Sequence, residues 1–118
     1  MQSLYTDNPD LVTMVAPSGG VTADVPVMIG AVCVIPSADA AVGELFSGYT
    51  RGVFRLPKNV GTSFTAGQLV EWDVDGEELI TAAAVQDDIE IGHVLIAAGT
   101  SDTHAVILKS SATPAVNP

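Results

Sequence analysis

The sequence predicts an all-β fold: a small sandwich or barrel-like domain of about eight or nine short strands with at most one short helix. Three observations predict it. Val, Ile, Thr, Gly and Pro are plentiful along the chain, whereas the helix-forming residues Lys, Arg, Glu and Gln are scarce. Turn signals recur about every 8–12 residues. Val70, Trp72 and Val74 alternate with Glu71 and Asp73, which is the period of a strand with one face in the core and one in water.

The first half of the chain is predicted to hold strands separated by turns and one loop. The predicted strands are residues 11–16, 25–35, 44–46 and 51–56. Residues 17–20 read Pro-Ser-Gly-Gly, a strong turn signal. The apolar run 25–35 is interrupted by Gly30, so it is either one strand buried on both faces or two strands with a bend at the glycine. Residues 36–43 read as a loop with room for one helical turn.

The second half is predicted to continue with hairpins. Residues 57–66 form a connector, and the alternating strand follows it. Asp75-Gly76 then marks a hairpin turn, from which residues 78–84 return antiparallel. Residues 89–98 and 105–108 supply the remaining strands. Trp72 is predicted to join the core rather than to anchor an interface, because it alternates with Val70 and Val74.

The chain is predicted to divide into three parts. Its 118 residues fit one domain. Residues 1–10 are mostly polar and are expected to form a flexible N-terminal arm, and residues 11–109 form the β domain. Residues 110–118 carry two prolines and little to bury, which predicts a flexible C-terminal tail.

The charge excludes two classes of partner. The chain has four basic and fourteen acidic residues, which gives a formal net charge of -10. Nucleic-acid binding needs clustered Lys and Arg, and anionic membranes repel an acidic surface, so neither is an expected partner. The single cysteine, Cys33, lies in an apolar run and is predicted to be a buried, inert thiol.

The sequence offers no catalytic, cofactor or metal site. His93 and His104 lie far apart, and His93 is in phase with Ile89 and Ile91, so we expect it to face the core. The acidic residues around Asp75 do not follow the spacing of a calcium loop. We therefore predict that the protein is not an enzyme and that its function depends on a surface.

The ordered motifs of the chain resemble those of a known family. The matching segments are Val15-Ala16-Pro17-Ser18-Gly19-Gly20-Val21, Gly52-Val53-Phe54-Arg55-Leu56-Pro57-Lys58, Phe64-Thr65-Ala66-Gly67, Val70-Glu71-Trp72-Asp73, Ile91-Gly92-His93-Val94 and Ala97-Ala98-Gly99. In this order they resemble the small capsid decoration, or cement, proteins of tailed phages and prophages. The segment at residues 52–58 is the most specific of them.

The resemblance implies a structural virion protein with a β-tulip-like domain. It implies a homotrimer, made in the host cytoplasm, that binds the outer surface of the phage head and stabilises the lattice of the major capsid protein. No cofactor or catalytic residue comes with the family. The capsid-contact residues expected in the arm and at the start of the domain are Leu4, Tyr5, Pro9 and Leu11.

The sequence leaves two alternatives open. One is a non-enzymatic β module that binds carbohydrate or a host surface, for instance as the base of a head fibre, with Tyr49 and Phe64 as the candidate exposed aromatics. The other is a hydrolase that uses Asp87 or Glu90, although Asp87, Asp88 and Glu90 show no sign of a carboxylate pair in a cleft.

Overall fold

The computed structural model describes residues 10–82 and 85–118, and within these ranges it contains nine β-strands and no helix. The all-β prediction is therefore confirmed. The strands are β1 (Leu11–Val15), β2 (Val27–Ile29), β3 (Val32–Pro36), β4 (Leu45–Tyr49), β5 (Gly52–Pro57), β6 (Leu69–Asp73), β7 (Glu78–Thr81), β8 (Ile89–Val94) and β9 (His104–Lys109).

The strands form two antiparallel sheets. The four-stranded sheet has the order β1-β4-β3-β2, and the five-stranded sheet has the order β5-β9-β8-β6-β7. The five-stranded sheet curls so that its two edge strands, β5 and β7, approach each other. Lys58, just after β5, forms a bridge with Leu79 of β7, and the amide of Asn59 donates a 3.0 Å hydrogen bond to the Leu79 carbonyl. This sheet is therefore a half-barrel that is closed at one end.

Two predicted turns are present. The run 25–35 is two strands rather than one, because Gly30 adopts a φ of 61° and lets the chain reverse between β2 and β3. β6 and β7 form the predicted hairpin, with Asp73 paired to Glu78. The Asp73 carboxylate accepts hydrogen bonds from the amides of Asp75 (3.1 Å) and Gly76 (3.0 Å), and it is Glu77 that takes the left-handed φ of 55°.

The core consists of two apolar clusters. The larger one lies inside the half-barrel and includes Trp72 and Phe64, each 1% exposed, together with aliphatic side chains from β3, β5, β6, β7, β8 and β9. The burial of Trp72 confirms its predicted place in the core. The smaller cluster packs on the other face of the four-stranded sheet around Val34 and Phe46. Because the two clusters lie on opposite faces of β3, this strand contributes to both.

Two predictions about which way side chains face are wrong. His93 is exposed, because β8 has one residue more than β6 between the pairs Val70–Gly92 and Trp72–Ile89. This bulge reverses the alternation of β8. Strand β6 does not present one face to water: Glu71 is 2% exposed, and Val74 is not in the core but 38% exposed.

The C-terminal segment explains the burial of Glu71. The side-chain amide of Asn117 donates hydrogen bonds to the Glu71 carboxylate (3.1 Å) and to the Val85 carbonyl (2.9 Å). Main-chain bonds attach the same segment to both sheets, from the Cys33 amide to Ala112 and from the Glu90 amide to Ala115, each 2.9 Å. Residues 110–118 are mostly exposed, as their composition suggests, but hydrogen bonds tie them to the domain. Their flexibility stays a prediction.

Candidate interaction surfaces

Reactive groups do not converge in the described part of the chain. Within residues 10–82 and 85–118, no three His, Cys, Asp or Glu side chains are placed to hold a metal ion. The same residues include no helix that is long and apolar enough to cross a membrane. Of the carboxylates considered for hydrolysis, Asp87 lines an apolar cavity beside Ile89 and Val116, but Asp88 and Glu90 do not line it, so this cavity holds no pair of these carboxylates.

The buried ionisable groups serve the fold. The Lys109 side chain is 0% exposed, and its ammonium donates to the main-chain carbonyls of Cys33 (3.0 Å), Thr50 and Ser111 (2.6 Å). Burial lowers the pKa of Lys109, and the Cys33 thiol has the opposite, smaller effect. Burial raises the pKa of Cys33 to about 11, against a smaller lowering effect of Lys109. The prediction of a buried thiol is confirmed, and its high pKa makes it a poor nucleophile.

The outer part of β1 and β4 forms the first candidate surface. Leu11 lies opposite Tyr49, Thr13 opposite Ser47, and Val15 opposite Leu45. All six residues point to the same side of the sheet, which we call the β1–β4 face. Val15 is 55% exposed and Leu45 is 62% exposed. The face is thus apolar or hydroxyl-bearing throughout and carries no charge.

Strand β1 is also an edge strand with free main-chain groups. The carbonyl of Asp10 accepts from the Thr50 amide (2.9 Å), and the Ala16 amide donates to the Glu44 carbonyl (2.8 Å). Bonded pairs alternate in an antiparallel ladder, so the main-chain groups of Leu11, Thr13 and Val15 point away from β4. Among the described residues, none hydrogen bonds to this edge. The strand has no charge, proline or bulge that would prevent another strand from pairing with it.

Of the four predicted contact residues, Leu11 lies on the β1–β4 face. Leu4, Tyr5 and Pro9 lie outside the described residues. Leu11 is the first residue of β1 and is 38% exposed on the β1–β4 face. Val15 and Leu45 extend the same apolar patch and were not among the predicted contacts. The alternation within β1 identifies Val15 once Leu11 faces outward, but only the pairing with β4 adds Leu45.

The aromatic residues proposed for a ligand-binding module are engaged within the fold. Phe64 is 1% exposed, and the buried Lys58 ammonium lies 5.2 Å from its ring centroid. Tyr49 is 40% exposed, and its ring packs against Phe54 with 6.1 Å between centroids. A stacking platform for a sugar needs an open aromatic face, and Phe64 does not offer one.

The outer side of the half-barrel forms the second candidate surface. Four side chains form a row across neighbouring strands: Val53 pairs with Leu108, Leu108 with His93, and His93 with Leu69. In the next row Arg55 pairs with Val106, whose carbonyl accepts from the Leu95 amide at 2.9 Å. We call this surface the β5–β9–β8 face. Val53 is 58% exposed and Leu95 is 44% exposed, so a second apolar patch is open to solvent.

Comparison with known proteins gives the chain a family. No curated protein and no solved structure matches it significantly. A family model described as phage cement protein matches residues 6–109, which spans all nine strands. The family consists of structural proteins associated with the phage capsid and is not a family of enzymes. The chain belongs to the phage cement protein family.

Proposed function

We propose that this protein binds the outer surface of the phage head as a homotrimer and stabilises the lattice of the major capsid protein. The observation that carries the proposal is the β1–β4 face: it carries no charge, it is apolar apart from the hydroxyls of Thr13 and Ser47, and it borders an open strand edge. A cement protein needs a surface of this kind because it must hold its partner by non-covalent contacts alone.

The open edge of β1 suggests how the partner is held. An extended segment of the capsid protein that pairs with Leu11, Thr13 and Val15 would gain main-chain hydrogen bonds, and Val15 and Leu45 would supply apolar contacts. The arm residues Leu4, Tyr5 and Pro9 would prolong the same contact. Each contact is small, and a trimer multiplies it because the second and third copies bind at a high effective concentration.

The remaining features agree with assembly inside the host and display on the virion. A single buried thiol fits synthesis in the reducing host cytoplasm. The net charge of -10 disfavours the packaged DNA as a partner and fits a location on the outer surface of the head.

Co-sedimentation with expanded capsids that lack the protein tests the proposal. The variants are Val15→Asp, Leu45→Asp and a deletion of residues 1–9, which keeps the Asp10–Arg51 ion pair of 2.6 Å. The matched control is Val60→Asp, an equally exposed valine (64%) in the connector after β5. We expect both face variants to raise the dissociation constant by at least about tenfold, because each places a charge in a desolvated contact.

Three results decide between the parts of the proposal. Wild-type protein that fails to sediment with capsids excludes capsid binding. Undiminished binding of Val15→Asp and Leu45→Asp excludes the β1–β4 face, and undiminished binding of the deletion excludes the arm. A mass measurement in solution tests the trimer separately.

A further inference from the structure

The four basic residues of the chain differ in how they are used. Lys58 and Lys109 are buried, 3% and 0% exposed, and donate to main-chain carbonyls. Arg51 forms an ion pair with Asp10. The side chain of Arg55, in contrast, is exposed on β5 and has no hydrogen-bond or ion-pair partner among residues 10–82 and 85–118. Arg55 is therefore the one exposed side-chain cation that has no partner within the described part of the chain.

The surroundings of Arg55 are those of an interface. It lies on the β5–β9–β8 face, where the register places Val53, Val106 and Leu108 on the neighbouring positions of β5 and β9. The two histidines of the chain lie on the same face, with His93 beside Leu108 and His104 opposite Pro57. An arginine within an apolar patch is the composition of a binding hot spot. Val53 is 58% exposed and Leu108 is 39% exposed, so the described residues leave this part of the face open to solvent.

The charge of the chain favours a second copy of the same protein as the partner. An exposed guanidinium favours a surface that supplies carboxylates, and this chain carries fourteen acidic residues against four basic ones. Two copies repel each other over most of their surfaces, so they approach with least repulsion where one copy presents its free cation. A nucleic acid would need several clustered cations, and this face has one arginine.

We propose that the β5–β9–β8 face is the surface through which one copy of this protein binds the next, with Arg55 donating to a carboxylate of the neighbouring copy. This inference rests on the proposed function, since it locates the contact that holds the trimer. In a cyclic trimer each copy uses two different patches, so the face of one copy meets an acidic surface of its neighbour. The β1–β4 face then stays available for the capsid protein.

The test is the solution mass of purified full-length variants as a function of concentration, by sedimentation or light scattering. Arg55→Glu and Val53→Asp alter the face. Arg51→Glu and Val60→Asp are matched controls, because they make the same changes at exposed positions elsewhere. We expect the two face variants to raise the dissociation constant of the oligomer at least about tenfold, and the controls to leave it near the wild-type value.

Circular dichroism and the urea midpoint of each variant show whether it remains folded. Wild-type mass in both face variants overturns the inference, as does a monomeric wild type or an equal loss in the controls. If Arg55→Lys retains the oligomer, the positive charge suffices; if Arg55→Lys fails like Arg55→Glu, the planar guanidinium is needed. Capsid co-sedimentation of the wild type is read separately, so a failure of capsid binding is distinguished from a failure of this interface.

Discussion

The ammonium of Lys109 donates a 3.0 Å hydrogen bond to the carbonyl of Cys33, 76 residues earlier in the chain. The same ammonium holds the carbonyls of Thr50 and Ser111, so one side chain joins β3, the turn after β4 and the C-terminal segment. This contact lies where β4 diverges from β3, since the two strands pair at only two positions, Ile35–Tyr49 and Pro36–Gly48. Lys109 therefore replaces part of the missing ladder between β3 and β4.

Replacing Lys109 by Met should lower the free energy of unfolding by about 2–4 kcal/mol, because buried carbonyls lose a charged donor. Urea unfolding at neutral pH measures it. Lys58→Met is the comparison: Lys58 is also buried but donates to only two carbonyls, at 2.8 Å and 3.4 Å, so its loss should be smaller. Equal stability of Lys109→Met and wild type would contradict the role given to Lys109.

Replacing Gly92 by Ala should destabilise the half-barrel by about 1–3 kcal/mol or more. A Cβ at Gly92 would lie 2.3 Å from the Leu108 carbonyl oxygen, so β8 and β9 must move apart. Gly99→Ala is the matched control, because its Cβ would meet nothing closer than an Asp102 oxygen at 3.8 Å. Thermal unfolding of both variants checks this, and a Gly92→Ala variant as stable as Gly99→Ala would disprove the steric argument.

Replacing Asn117 by Ala should loosen the C-terminal segment and lower the free energy of unfolding by about 1–2 kcal/mol. The reason is that the hydrogen bonds from its side-chain amide to the Glu71 carboxylate and to the Val85 carbonyl are lost. Hydrogen exchange gives the local readout. The amides of Cys33 and Glu90, which donate to Ala112 and Ala115, should exchange faster in the variant. Unchanged protection of both amides would mean that Asn117 does not anchor the segment.

Asp88 should make stability fall as pH rises through the acidic range. Burial raises the pKa of its carboxyl group; the bond from the Val74 amide opposes this, and the nearby carboxylates of Asp73, Glu71 and Asp75 add to it. The folded state therefore holds the proton more tightly than the unfolded state does. The resulting stability is complete below the unfolded pKa and is lost as pH rises through the folded pKa.

The variant Asp88→Asn tests this. It should match wild type in urea unfolding at about pH 3, where Asp88 is protonated, and be the more stable protein at about pH 7. The Asp88 carboxylate accepts from the Val74 amide at 3.4 Å, and the carbonyl oxygen of the substituted carboxamide is expected to keep this bond. A difference in stability that does not change with pH would refute the linkage.

Cys33 should resist thiol reagents in the folded protein. Its side chain is 0% exposed, so a reagent cannot reach the sulfur, and its pKa is raised to about 11, so little of the reactive thiolate is present. We expect full modification in urea and, under native conditions, modification no faster than the protein unfolds. Rapid reaction of the folded protein would show that the core around β3 opens locally.

The local signals in the sequence are sufficient for the short-range structure. Asp75-Gly76 predicts the hairpin of β6 and β7, and Gly30 marks the division between β2 and β3 because a reversal needs a residue that tolerates positive φ. Pairings between distant strands are not predicted. β5 pairs with β9 along its whole length, and nothing in residues 52–57 specifies a partner some fifty residues away.

The errors have the same origin. Counting alternate residues assigns His93 to the core, and the bulge in β8 shifts the count. The same counting assigns Glu71 to solvent, because no local pattern reveals that Asn117 will cover it. Of the candidate surface, Leu11 is identified from the chain order, whereas Val15 and Leu45 form one patch only because β1 pairs with β4. Arg55 stands within a recognised motif, but its lack of a partner is a property of the folded chain.

The position of Lys109 has a mechanical consequence for a protein of the phage cement family. A pull on the end of β9 would be shared with β3 and with the turn at Thr50, because Lys109 hydrogen bonds to the carbonyls of Cys33 and Thr50. Bonds that share a load must break together, whereas bonds in a peeled strand break one at a time. Lys109 thus attaches the end of β9 to the four-stranded sheet, so that a force along β9 is resisted by several hydrogen bonds at once.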